Sequence, residues 1–125
     1  MRTAAVITQW LVRLTGLTQI VLGLLFWTNN ALTLIPIHMM IGSLFVLSLW
    51  ALAILAAIMG ADRRFVVLAL VWGVVVIGLG MTQTRILPGP FHWVIEVIHL
   101  LVGLAAMGIA QGLGVRINLK RAATA

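Results

Sequence analysis

The sequence predicts an all-α fold, a four-helix bundle that crosses a lipid bilayer in up-down-up-down order. Apolar residues make up 63% of the chain and charged residues only 8%, and the mean hydropathy is +1.22. Roughly a quarter of the residues of a soluble domain are charged, so this chain has too few charges to cover a globular surface. We therefore expect residues 1–125 to form a single transmembrane domain with the lipid bilayer as its first partner.

Four apolar segments approach or exceed the roughly 20 residues that a helix needs to cross the hydrocarbon layer. The predicted spans cover residues 5–27, 34–59, 65–81 and 90–113. The third is rich in valine, yet it must be helical, because an open strand in lipid leaves its backbone without hydrogen bonds. Pro36 and Pro90 mark helix starts, where a missing N–H is tolerated. The short connections leave no room for a soluble domain.

The basic residues predict the orientation, because Lys and Arg favour the cytoplasmic side of short loops. Seven of the eight lie at the chain ends and in the middle loop: Arg2, Arg13, Arg63, Arg64, Arg116, Lys120 and Arg121. The other two loops hold only Arg85. We expect a multi-pass protein of a bacterial-type cytoplasmic (inner) membrane, with both termini cytoplasmic. The basic residues behind the net charge of +6 then set the orientation in the membrane, and no nucleic-acid partner is predicted.

The chain also contains an internal match, which indicates two related helical hairpins. Residues 37–42 (IHMMIG) match residues 98–103 (IHLLVG). Glycines recur with the same spacing in the first and third spans, at Gly16, Gly23, Gly73 and Gly80. A further pair, Gly108 and Gly112, has the G-x-x-x-G spacing that lets helices pack closely, and it indicates a homodimer.

Ionisable residues inside a span are costly, and they mark functional sites. The spans contain Arg13, His38, His92, Glu96 and His99. The last four lie in the outer halves of the second and fourth spans, which run in the same direction. On the fourth span the spacing i, i+4, i+7 puts three of them on one helix face, and His38 can face them across the bundle. Arg13 is expected to extend toward the cytoplasm.

Imidazole is a ligand for metals and for haem iron, and facing helices of a bundle hold such cofactors. With glycines on the intervening spans, the arrangement resembles the small four-helix transmembrane b-type cytochromes over the whole chain. The resemblance implies haem b, with His38 and His99 as axial ligands. It also implies clearance for the ring at Gly16, Gly23, Gly73 and Gly80. Members with two haems need four ligand histidines, and this chain has three, so at most one bis-histidine haem is implied per chain.

The residues leave the partner of His38 open between His99 and His92. The I-H-x-x-x-G match pairs His38 with His99, whereas the proline spacing pairs it with His92. We favour His99, because it lies about 10 Å deeper at 1.5 Å per residue. His92 would then lie at the outer rim and contact a propionate or relay a proton. Glu96 is either protonated or accepts the second N–H of a ligand histidine.

Three functions fit these patterns. The resemblance implies electron transfer near the outer face, as a haem-dependent oxidoreductase whose circuit is completed by a quinone or a redox partner protein. The second function is a non-haem metal site made of the three histidines and Glu96. The third is a cofactor-free scaffold subunit whose polar residues join helices. The sequence shows no phosphate-binding loop, nucleophile elbow or acidic catalytic pair.

Overall fold

The computed structural model describes residues 1–124, except for the side chains of Arg121 and Thr124. Four α-helices make up most of it: α1 (Arg2–Trp27), α2 (Ile35–Ile58), α3 (Arg63–Thr82) and α4 (His92–Thr124). One-turn 3₁₀ helices lie in two connections, at Leu32–Leu34 and Gln83–Arg85, and the described residues include no strand. Each α-helix is long and apolar enough to cross a membrane. The predicted all-α four-helix fold of a multi-pass membrane protein is therefore confirmed.

Helix α4 differs most from its predicted span. It begins two residues after Pro90 and continues eleven residues beyond Leu113. The late start follows from the backbone, since Leu87 and Gly89 have φ values of +48° and +92° and keep the preceding chain out of a helix. At 1.5 Å per residue its 33 residues measure about 50 Å. Because the hydrocarbon layer is about 30 Å thick, the last turns of α4 extend beyond it.

The connection between α2 and α3 shows why these helices end where they do. Gly60 has φ +78°, its N–H donates to the Ala57 carbonyl at 3.1 Å, and the Ala61 N–H donates to the Ala56 carbonyl at 2.9 Å. This is the Schellman arrangement that closes a helix on glycine. The Asp62 carboxylate then accepts the Arg64 backbone N–H at 2.9 Å and caps α3.

The helices form a ring in which one diagonal is short. Each helix packs on the next, α4 packs on α1, and α2 also contacts α4 across the bundle. In the described part of the chain, α1 and α3 make no such close approach. Residues of α2 and α4 that point inward at the same level therefore meet directly.

The closely packed core occupies one end of the bundle. We call this the basic end, because it carries both termini and the α2–α3 connection; the opposite end, with the other two connections, is the histidine end. Val12, Leu49, Leu52 and Leu113 are at most 1% exposed, and all lie toward the basic end. Among the described residues beyond Phe45 toward the histidine end, the buried apolar side chains are Leu22, Val76 and Ile95. The histidine end is thus sparsely packed.

The tryptophans divide into two groups. Trp50 donates its indole N–H to the Leu70 carbonyl at 3.0 Å, and Trp72 donates to the Val102 carbonyl at 2.9 Å. These two indoles join α2 to α3 and α3 to α4, as expected of packing residues. The other three are 44–54% exposed: Trp27 and Trp93 at helix ends, and Trp10 about two turns inside the start of α1. Their positions suit indoles at a membrane–water interface.

Two packing contacts bear on the glycine patterns. The indole of Trp50 lies against Gly73 so closely that a Cβ there would overlap it. A Cβ at Gly112 would lie 3.0 Å from the Phe65 ring, whereas one at Gly108 would contact nothing within 4 Å. Gly112 thus serves packing inside the chain and does not share one open face with Gly108. The homodimer stays a prediction.

We expect Gly73→Ala to destabilise the bundle by about 1–3 kcal/mol, because the added methyl group displaces the Trp50 indole from its hydrogen bond. The measurement is the unfolding free energy in mixed micelles, followed by circular dichroism. Gly78→Ala is the matched control, because nothing lies within 4 Å of a Cβ there. Equal stability of the two variants would show that the Trp50 contact is not needed for packing.

Candidate functional site

The histidine end brings His38 and His99 together. His38 is the fourth residue of α2 and His99 is the eighth of α4, and these helices form the short diagonal of the bundle. The two ring centroids are 6.4 Å apart, and the ring planes are inclined by 58°. The structure therefore sets opposite each other the two histidines that the internal match paired.

Hydrogen bonding separates these two histidines from the other buried polar side chains. Thr8, Thr15 and Ser48 each donate to the carbonyl four residues earlier in their own helix, at 2.6–2.8 Å. In contrast, the Nδ1 atoms of His38 and His99 are buried without a partner in the described part of the chain. An unsatisfied buried polar atom costs about 1–3 kcal/mol. The two facing imidazoles thus each contain a buried nitrogen that is open to a partner from outside the described residues.

Helices α1 and α3 complete the surroundings of the pair. The Phe26 ring meets His38 edge-on, with centroids 5.3 Å apart. The Gln19 side-chain amide donates to the His38 carbonyl at 2.6 Å and fastens the first turn of α2 to α1. On the α3 side, a Cβ at Gly80 would lie 3.4 Å from Cε1 of His99, in ordinary contact. Phe26 of α1 thus contacts the His38 ring, and Gly80 of α3 lies beside the His99 ring. The Gln19 hydrogen bond fixes the backbone of α2 at His38.

The four glycines expected to clear space for a ring fall into two pairs. Cβ atoms at Gly16 and Gly73 would collide with Met107 and Trp50, so the protein's own side chains fill that clearance. Gly23 has nothing within 4 Å of a Cβ, and Gly80 lies beside His99. The first pair lies in the middle of the bundle, where the packed core begins, and the second lies at the sparsely packed end. Of the four, Gly80 alone has a histidine as the nearest described neighbour of its Cβ position, and Gly23 faces open space.

His92 and Glu96 do not join the pair. The His92 Nδ1 lies 3.3 Å from the Ile86 carbonyl, in the connection before α4. Glu96 is half-buried and makes no hydrogen bond with a described residue. Seven residues of helix rise by about 10 Å, so His92 and His99 share a face but lie too far apart to hold one ion. The described residues contain no group of three metal-ligating side chains, and the four-residue metal site is not assembled.

The geometry of the pair fits two imidazoles on one metal centre. A metal–imidazole bond is about 2 Å long, and the nitrogen lies about 1.1 Å from its ring centre. Two imidazoles in line on one metal therefore have centroids about 6.3 Å apart, and the observed separation is 6.4 Å. The centroid separation of the pair is therefore close to that of two imidazoles on one metal centre.

Sequence reasoning missed two neighbours of the pair, Gln19 and Phe26. Gln19 could have been found, because an amide in an apolar span needs a hydrogen-bond partner. Nothing in the sequence pointed to Phe26 as part of the site, since a phenylalanine at the end of an apolar span is ordinary. Its contact with His38 depends on how the α1–α2 connection folds back, with Asn29 and Ala31 at φ +58° and +55°.

Comparisons of the chain with protein-family models, with curated proteins and with solved structures found no match in any of the three. The fold and the pair together define a class: a four-helix membrane protein whose diagonal helices present two facing imidazoles.

Proposed function

We propose that this protein binds one haem b through His38 and His99 and transfers electrons at the histidine end. The observation that carries the proposal is the facing pair of imidazoles, 6.4 Å apart, whose buried Nδ1 atoms have no partner. Haem supplies one-electron chemistry when it is bound. The protein supplies the ligands, the surroundings and the position in the membrane.

Each residue around the pair has a role in this proposal. His38 and His99 would hold the iron, and the absence of side chains at Gly23 and Gly80 would keep α1 and α3 from crowding the ring. Phe26 covers His38 and excludes water. Gln19, through the His38 carbonyl, keeps the first turn of α2 in place. Burial and axial ligation are the means by which a protein sets a haem potential.

The electron partner belongs at the histidine end. His38 lies only three residues from the start of α2, which is about 5 Å along the helix, so the pair is close to that surface of the bundle. A quinone or a redox partner protein at this surface would complete the circuit. His92 and Glu96 lie nearer the start of α4, on the side from which such a partner would approach. Under this proposal the protein is an oxidoreductase.

The proposed location is a bacterial-type cytoplasmic membrane with the histidine end outside. Of the eight basic residues, Arg85 alone belongs to a connection at that end. The others belong to the basic end, which by the positive-inside rule faces the cytoplasm together with both termini.

The first test is the visible spectrum of the purified protein, oxidised and reduced with dithionite. We expect a sharp reduced α-band in the wild type, and its loss in His38→Ala and in His99→Ala, because each variant removes one axial ligand. His92→Ala is the matched control and should keep the band. Circular dichroism checks that each variant is folded.

Two results would contradict this assignment. A band that survives His99→Ala and disappears in His92→Ala would show that His92, and not His99, is the second ligand. A colourless wild type, expressed with adequate haem and free of bound metal, would overturn the haem proposal and favour a cofactor-free scaffold subunit.

A second test uses two glycines of α3. Gly80→Leu should lower the haem content per protein to about half or less, because a Cβ there already contacts the His99 ring and the larger side chain would displace it. Gly78→Leu, two residues away, should leave it unchanged, since Gly78 is exposed and nothing lies within 4 Å of its Cβ position. The measurement is the pyridine haemochrome assay against protein concentration. Equal haem contents would show that the ring does not lie near Gly80.

The orientation can be tested because the chain contains no cysteine. In intact cells, a membrane-impermeant maleimide should label Asn30→Cys at the histidine end and leave Ala61→Cys at the basic end unlabelled. Permeabilised cells should label both variants to a similar extent. The reverse pattern in intact cells would place the histidine end in the cytoplasm.

A further inference from the structure

A polar cluster lies on the seam between α1 and α4, toward the basic end. Arg13 donates to Oε1 of Gln111 from Nε at 3.3 Å and from Nη2 at 2.9 Å. Gln9 donates to the same oxygen at 3.2 Å, and its side chain packs directly on Gly114, where a Cβ would overlap it. The Arg13 guanidinium also lies over the Trp10 ring, 5.0 Å from its centroid. One acceptor oxygen thus serves three donors.

Arg13 carries a charge that no carboxylate neutralises in the described part of the chain. The chain has two acidic residues. Asp62 caps α3, and Glu96 lies toward the opposite end of the bundle. Of the five N–H groups of a guanidinium, two donate to Gln111, and the remaining three have no acceptor among the described residues. A guanidinium at this position calls for an anion from outside the chain.

The depth of Arg13 indicates where that anion comes from. The exposed indoles of Trp10 and Trp27 are 17 residues apart along α1, or about 25 Å, close to the thickness of the hydrocarbon layer. With Trp10 at the interface, Arg13 lies about 4–5 Å deeper, a depth from which its side chain reaches the headgroups. On α4, Gln111 lies 18 residues after Trp93, about level with Trp10, and the Arg13 side chain reaches it through its hydrogen bonds.

We propose that Gln9, Arg13 and Gln111, which we call the Arg13 seam, bind the phosphate of an anionic phospholipid. A phosphate offers only acceptor oxygens, and it can take a two-pronged contact from a guanidinium that Gln111 already orients. The seam opens in a shallow cleft lined partly by these three side chains. Leu17, one turn deeper than Arg13, is 57% exposed and offers apolar surface to an acyl chain. That surface favours a lipid over free phosphate. This site is independent of the proposed haem.

The test is lipid retention by the full-length protein in detergent, measured by native mass spectrometry. Phosphatidylglycerol and phosphatidylcholine with identical acyl chains are offered at equal concentration. The wild type should retain more phosphatidylglycerol, and Arg13→Gln should reduce that preference about fivefold, the factor expected for one basic residue near an anionic leaflet. Arg63→Gln, at the same end but on α3, is the matched control and should change little.

Several outcomes would overturn the proposal. Equal losses in Arg13→Gln and Arg63→Gln would mean that the basic end attracts anionic lipid diffusely, without a defined site. An unchanged Arg13→Gln would remove Arg13 from lipid binding. Displacement of the lipid by millimolar inorganic phosphate would assign the seam to a free anion, and retention of a neutral short-chain quinone with the same dependence on Arg13 would assign it to a quinone.

If Arg13→Gln does not fold, two conservative Arg→Lys substitutions still test the proposal. Arg13→Lys keeps the charge but loses the planar two-pronged contact, so the preference for phosphatidylglycerol should still fall measurably. Arg63→Lys should leave it unchanged. Equal preferences in these two variants would overturn the proposal.

Discussion

The hydrocarbon core of a bilayer contains no water, so the polar groups of a spanning chain depend on partners within the protein, and most of this structure follows from that constraint. The backbone is helical almost throughout. Buried hydroxyl groups return to carbonyls of their own helix, and Trp50 and Trp72 donate to carbonyls of the next helix. Against this background two features stand apart: the Nδ1 atoms of His38 and His99, which have no partner among the described residues, and the Arg13 guanidinium, whose charge no described carboxylate neutralises.

The two ends of the bundle differ because their residues pack differently. At the basic end, small residues let the helices approach, and apolar side chains fill the interior: Val12, Leu52, Ala53, Ala106, Ala110 and Leu113. At the histidine end, polar side chains and bare glycines replace such residues, so fewer groups are buried. The stability of the bundle therefore comes mainly from the basic end. The proposed haem would lie at the other, sparsely packed end.

Charge is separated along the bundle in the same way. Basic residues gather at the end that is well packed, where lipid headgroups can provide the missing counter-ions. Few charged groups lie near the two histidines, so a metal centre there would be governed by its ligands and by low polarity. The proposed electron transfer and the proposed lipid contact thus use opposite ends of the same four helices.

The sequence by itself determined the fold class and three of the four helices to within a few residues, because hydropathy and helix-breaking residues act locally. It also picked out His38 and His99 through their shared I-H-x-x-x-G surroundings. Only the tertiary structure decided that α2 and α4 form the short diagonal, which brings His99 rather than His92 opposite His38. It also decided that the protein's own side chains, Met107 and Trp50, occupy the space beside Gly16 and Gly73. Those outcomes depend on which side chains meet across the bundle, and spacing along one helix carries no information about that.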